Sequence, residues 1–386
     1  MTVYLDHAAT TPLRPEARDA WLDAIDTVGN PSSIHRSGQA ARRMLEDARE
    51  RLAVVLGCDP IEVVFTSGGT EAINLALKGL WFSRPADRSV IVLPDGEHHA
   101  TLDAVEWLRT DDGAEVRAVA LDDTARIPVA SFAAALAADV AAATAIVANN
   151  EAGTINDATA LAEAAAVAGV PLHLDAVASF GHLELPFSGL ARSAGGGAHL
   201  MSVSAHKVGG PPSIGALVVS RQAKITALHH GGAAQRGLRA GTPDAPSAAA
   251  FAAAAEATFA ERQQEDARLQ QLRDALIAGV AAEVPQSELL GDRTARLPGN
   301  AHFLFPGAAG ESMLYLLDAA DIAVSTGSAC QAGIAEPSHV VRAMGRSEAD
   351  ARSVLRMTVG RTTTAEDIDA VVAAIGDVYR RATGKR

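Results

Sequence analysis

The sequence predicts an α/β fold: a large unit built on a mainly parallel sheet, followed by a smaller C-terminal α/β unit. Three observations predict it. Between about Val63 and Ser220, short β-branched runs alternate with alanine-rich segments of helical character. A long charged helical stretch then runs from about Ala248 to Glu283, with Glu261, Arg262, Glu265 and Asp266 on its solvated face. Beyond Pro285 a second, shorter alternation begins. The first unit's strands are expected at Val63–Phe65, Val90–Leu93, Val116–Ala120, Ala145–Ala148, Pro171–Leu174, Leu200–Val203 and Gly215–Val219. The second unit's are expected near Ala301–Phe305, Ile322–Val324 and Val354–Val359, with helices near Gly310–Ala320 and Thr364–Arg380. The expected division is a joining segment over 1–15, a large domain over 16–260 and a small domain over 261–386.

Composition excludes several function classes. With 386 residues, 48% of them hydrophobic, the chain can bury a full core, and with aromatics at 4% small aliphatic side chains must fill it. A formal charge of -13 repels a phosphate backbone, so no direct nucleic-acid ligand is expected. The richest apolar stretch, Ala248–Ala255, is too short to cross a bilayer, so no membrane partner is expected. The opening Met1–Thr11 carries Asp6 and no apolar run after a basic cluster, unlike a secretory signal. Cys58 and Cys330 are too few for a disulfide framework, which fits a reducing cytoplasm. No resident metal is expected.

In a parallel sheet, ligands collect at the carboxyl ends of the strands, so the residues after each run are read first. After Phe65 comes Thr66-Ser67-Gly68-Gly69-Thr70-Glu71 and then a helical apolar pattern. Such a turn aims backbone amides and a helix N-terminus at an anion such as phosphate, although an ordinary strand-to-helix turn looks the same. Asp175 ends one strand, and Ser204-Ala205-His206-Lys207 follow another. These could form a plain ion pair. The sharper reading is a lysine amine that condenses with an aldehyde cofactor, and a carboxylate that keeps a pyridinium nitrogen protonated. His98 could lie flat over a cofactor ring or be a surface histidine. Asn150 could donate to a ring substituent or simply make a turn.

Cys330 sits among small residues, Ser325 to Gly333, directly after an apolar strand. Packing thiols sit in apolar runs, as Cys58 nearly does beside Leu56; a loop thiol is one that can attack. Arg356 interrupts a predicted strand with a guanidinium. Either it meets an anion, for which a fork of donors suits a substrate carboxylate, or it lies on an edge in water.

Together these residues resemble the cysteine desulfurases of the NifS/IscS type, class V aminotransferase-like enzymes of the fold-type-I PLP-dependent transferase group. The resemblance runs nearly end to end through Tyr4–Pro12, Gly29–Ser33, Ser67–Glu71, Glu97-His98-His99, Asn149-Asn150-Glu151, Ser204–Lys207, Arg239–Thr242 and Gly327–Cys330. It implies a homodimeric enzyme that binds pyridoxal 5'-phosphate and converts L-cysteine to L-alanine. The sulfur would be held as a persulfide on Cys330 for an acceptor such as an iron–sulfur scaffold, in cluster assembly or thiolation. Carried over by position, Lys207 is the lysine that condenses with the cofactor, Asp175 the partner of its ring nitrogen, and His98 the stacking and proton-handling group. Gly69, Thr70, Ser204 and His206 form the phosphate site, with Thr242 reaching in from a second subunit. Asn150 contacts the cofactor, and Asn30 and Arg356 hold the substrate carboxylate. The spacing from Cys330 to Glu336-Pro337-Ser338 resembles the branch with the longer cysteine loop.

The chain departs from the family pattern at Ala178, where a glutamine would contact the cofactor's phenolic oxygen. Ala205 and Gly209 also replace a usual glycine and a common aromatic. Two rival readings remain at this point: a lyase or aminotransferase-like paralogue that makes no use of Cys330, and a non-catalytic dimeric scaffold in sulfur transfer.

Overall fold

A computed structural model describes residues 2–193, 195–232, 234–327 and 336–384. Cys330 lies outside the described residues. The larger sheet runs, across its width, Val63–Thr66, Gly215–Val219, Gly197–Ser204, Pro171–Asp175, Val140–Ile146, Val90–Pro94 and Glu115–Val119. Gly215–Val219 is antiparallel to both of its neighbours, and the remaining pairs are parallel. The inner strands are covered on both faces, which is why they read as continuous apolar runs without alternation. Every residue of Val140–Ile146 is buried. That strand starts earlier than its Ala145–Ala148 expectation, because an alanine run carries no β-branched signal and burial between helices decides its state.

The smaller sheet is antiparallel, in the order Val354–Thr358, Asn300–Leu304, Glu288–Leu290, and pairs His302 with Arg356. The N-terminal residues belong to this part of the molecule. Val3–Tyr4 lies parallel to Ile322–Ala323, and Val3 and Leu5 pack with Leu276, Phe303 and Met357. The same segment then crosses to the large sheet, where Thr11 N–H donates to the His206 carbonyl and Arg14 N–H to that of Gly209. One helix, Ala245–Glu283, also serves both cores. Its 39 residues extend roughly 58 Å at 1.5 Å per residue. It packs Phe251 and Ala255 into the large core and Leu269, Leu276 and Val280 into the small one. Asp244 caps its start, accepting from Ser247 N–H at 3.0 Å. Among the described residues, no helix is long and apolar enough to cross a membrane.

Candidate active site

The parallel register puts Asp175 opposite Ser202, so the ends of Pro171–Asp175 and Gly197–Ser204 bring Asp175, Ser204 and Lys207 to one place. There a pocket of about 350 Å³ opens, lined by these three residues and by Gly69, Thr70, His98, Asn150, His206 and Arg356. Gly69 and Thr70 begin the helix Gly69–Phe82, whose first amides have no side-chain cap. A helix start of this kind, with its positive end toward the pocket, is a ready anion site. Ser204 Oγ is buried beside it and has no hydrogen-bond partner. His206 reaches Thr10 Oγ1 at 3.3 Å, and burial lowers its pKa to about 4.

Lys207 Nζ donates to the carbonyls of Ala8 and Ala9. Burial, then the Arg356 charge, push its pKa down to about 8, against the pull of Asp6 and Asp175. An amine so placed loses its proton far more readily than a surface lysine, which a nucleophilic amine requires. Burial raises the Asp175 carboxyl to about 6, opposed by the Val177 N–H, which donates to it at 2.9 Å, and by the Lys207 charge. It is still an anion at neutral pH. His98 caps the helix His99–Asp111 by accepting the Ala100 N–H at 3.0 Å on Nδ1. Burial first, then Lys207, lower its pKa to about 4. The ring is therefore neutral, with its proton on Nε2.

Arg356 is buried, and the anion it meets is Asp6, to which Nη2 donates at 2.9 Å. Nη1 donates to the Asn150 carbonyl at 2.8 Å, while Nε is buried without a partner. Asn150 Oδ1 is likewise buried and unpartnered. The pocket thus presents unmet polar groups on several walls, which a dry cavity would not tolerate.

Two sequence-predicted residues do not line this pocket. Asn30 is exposed in the loop after Pro15–Ile25, where its Oδ1 accepts the Ser32 N–H at 2.9 Å. Thr242 is exposed as well. Ala178 lines both the pocket and a cavity of about 100 Å³ behind it, shared with Lys207 and Asn150. Ser179 Oγ is turned away, donating to the Ala176 carbonyl at 3.2 Å. Gly209 has φ +77°, and a Cβ there would stand 2.6 Å from Arg14 Cγ, so the Arg14 side chain fills the space an aromatic would need.

Residues that the sequence reading quoted without giving a role also lie here. Asp6 neutralises Arg356. Glu97 is fully buried, its Oε1 accepting the Ile146 N–H; burial and then the Asp175 charge hold its carboxyl well above the usual range. Glu151 and His339 line the pocket mouth. The first three stand inside the quoted motifs, which was the available signal; His339 follows the quoted Glu336-Pro337-Ser338. Among the described residues, no group of three or more His, Cys, Asp or Glu is arranged to hold a metal ion.

A strand-end lysine and acid beside an uncapped helix start define a cofactor-dependent transferase of the aminotransferase type, and comparison with known proteins agrees. Residues 3–371 match the family described as aminotransferase class-V. An IscS-like cysteine desulfurase of Mycobacterium tuberculosis (strain ATCC 25618 / H37Rv) is 45% identical over 385 residues, covering 98% of this chain and 96% of that protein. The cysteine desulfurase IscS of Methanosarcina thermophila is 36% identical, covering 98% and 92%. The solved structure of a NifS-like protein superposes with a TM-score of 0.90 at 28% identity, covering 98% of this chain and 99% of that one. The chain belongs to the class-V aminotransferase family and, within it, to the cysteine desulfurases.

Proposed function

We propose that the pocket holds pyridoxal 5'-phosphate and that the protein converts L-cysteine to L-alanine, keeping the sulfur as a persulfide on Cys330. The observation that carries this reading is the convergence of Lys207, Asp175 and the uncapped helix start in one pocket with Arg356. The unpartnered Ser204 Oγ and Asn150 Oδ1 fit a cofactor with a phosphate and a polar ring. Once bound, such a cofactor supplies an electron sink for bonds at the substrate's α-carbon.

The chain's own residues do the rest. Lys207 anchors the aldehyde, Asp175 holds the ring-nitrogen proton, and His98 covers the ring. Thr70, Ser204, His206 and the Gly69 amide hold the phosphate. Thr242, exposed in this protomer, completes that site from the second subunit of a homodimer. Arg356 binds the cysteine carboxylate, with Asn30 as the second ligand that the family resemblance implies. The Cys330 thiolate attacks the substrate sulfur; an S–S bond forms and the C–S bond breaks. The electron pair passes to the β-carbon, which takes a proton to become the methyl of alanine. The persulfide then passes to a protein acceptor, such as an iron–sulfur scaffold, in the cytoplasm.

The test is a single turnover of purified protein with L-cysteine, followed by mass spectrometry of the peptide that holds Cys330. One alanine should be released for each sulfur atom bound. With Cys330→Ser, the bound sulfur should disappear. Alanine release with no sulfur on wild-type Cys330 would point instead to a lyase.

Ala178 makes a further prediction. A glutamine amide there would donate to the cofactor's phenolic oxygen, and Ser179 Oγ, committed to the Ala176 carbonyl, does not replace it. One hydrogen bond of about 1 kcal/mol corresponds to somewhat under one pKa unit. Ala178→Gln should therefore lower the pH midpoint of the cofactor's long-wavelength absorbance by about that amount. A spectral pH titration of both proteins reads it, and equal midpoints would mean that water already supplies the donor.

A further inference from the structure

At the pocket mouth, His339 and Glu151 face one another in an arrangement that the proposed chemistry has not used. His339 Nε2 stands 2.9 Å from the Glu97 carbonyl. A carbonyl can only accept, so Nε2 carries a ring proton, and in the neutral ring Nδ1 then presents a lone pair. Nδ1 is buried, has no hydrogen-bond partner, and lies 3.9 Å from Glu151 Oε1. The Glu151 side chain is 1% exposed, and its other oxygen accepts from Ser338 Oγ. The ring is fixed in this position, since His99 packs edge-on against it at 4.8 Å between centroids. With the ring neutral, these are two acceptors facing one another in a buried place, an arrangement that favours the arrival of a proton.

We propose that His339 Nδ1 and Glu151 form a station that takes the proton of a thiol entering the pocket. The inference rests on the desulfurase reading, which brings thiols here and needs one of them as a thiolate. A thiol has an ordinary pKa of about 8.5, so near neutral pH an imidazole is a matched base. The step is S–H plus Nδ1 giving thiolate plus Nδ1–H, and the imidazolium so formed is neutralised by Glu151. His98 cannot take this part in its present tautomer, because its Nδ1 lone pair is already used by the Ala100 N–H. The chain also passes this point at Gly327. Its φ is +88°, and a Cβ there would stand 3.1 Å from Glu151 Oε2, so a side chain would crowd the carboxylate. Two thiols fit the chemistry, that of substrate cysteine and that of Cys330.

His339→Gln keeps an amide donor for the Glu97 carbonyl and removes the Nδ1 lone pair. In the holoenzyme, iodoacetamide alkylation reports on Cys330, since burial pushes the Cys58 thiol up to about 12. Single-turnover alanine release from L-cysteine reports on the substrate thiol, once alkylation is known to be unchanged. Chloride release from β-chloro-L-alanine, whose leaving group carries no proton, is the control. The expected result is a fall of about tenfold or more in at least one thiol-dependent rate, with chloride release unchanged. A fall in alkylation assigns the station to Cys330; a fall in alanine release alone assigns it to the substrate. Smaller changes in both, or a parallel fall in chloride release, would overturn the proposal. A wild-type protein that released no alanine would refute the desulfurase reading instead, while alkylation would still test the pair. Glu151→Gln should reproduce the effect; because that residue is buried and its variant is at risk of misfolding, His339→Gln carries the test.

Discussion

Replacing Lys207 by alanine is expected to leave no cofactor covalently attached after borohydride reduction and to lower alanine release on the order of a thousandfold. The expectation follows from how few lysines compete for the role. The others in the chain are Lys78, Lys224 and Lys385. Lys78 lies over the Trp107 ring at 4.3 Å, and neither it nor Lys224 lines the pocket. Among the described lysines, Lys207 alone lines the pocket, and burial there lowers its pKa to about 8. That pKa also fixes a pH dependence. Below about 8 the amine is a cation without a lone pair; above it, the free amine can attack an aldehyde. Uptake of pyridoxal phosphate by the apoprotein should therefore quicken as pH rises through about 8, read as growth of the bound-cofactor absorbance. A reduced adduct on Lys224, found by peptide mapping, would sink the assignment.

Much of this site was legible because it stands at strand ends. A parallel sheet gathers the residues that follow its strands on one edge, so Asp175, Ser204 and Lys207 could be grouped without knowing the strand order. The strand order itself was not legible, and neither was the start of Val140–Ile146, whose alanines suit a helix as well as a buried strand. Pairings across long sequence distance left no local trace. Asp6 meets Arg356 across 350 positions, and His339 meets the Glu97 carbonyl across 242. The two-residue strand Val3–Tyr4 is too short to show a period, yet it ties the N-terminus to the small core. Arg356 shows the limit most clearly: its sequence position left open an anion partner or an edge in water, and only the fold reveals that it is buried, with Asp6 supplying the anion while Nε stays unpartnered.

That double commitment shapes the second large expected effect. Arg356→Ala should raise the KM for cysteine about ten- to a hundredfold, since a charge-assisted hydrogen bond to a carboxylate contributes about 1.5–3 kcal/mol. Affinity for pyridoxal phosphate should change much less. The same variant strips Asp6 of its partner, and Asp6 keeps 22% of its side-chain surface exposed. The stability cost should therefore fall below the about 3–5 kcal/mol that follows from breaking a fully buried pair. Loss of stability and loss of substrate binding would then appear together, and two further variants separate them. Arg356→Lys leaves a cation beside Asp6 without the planar fork, so thermal stability should largely survive while the KM still rises. Pairing Arg356→Ala with Asp6→Asn removes the stranded charge, so Tm should recover while the KM stays high. Should the KM recover along with Tm in the double variant, Arg356 would act only by holding Asp6 and the N-terminal segment in place. An equal loss of cofactor and cysteine affinity in Arg356→Ala would likewise remove it from the carboxylate site.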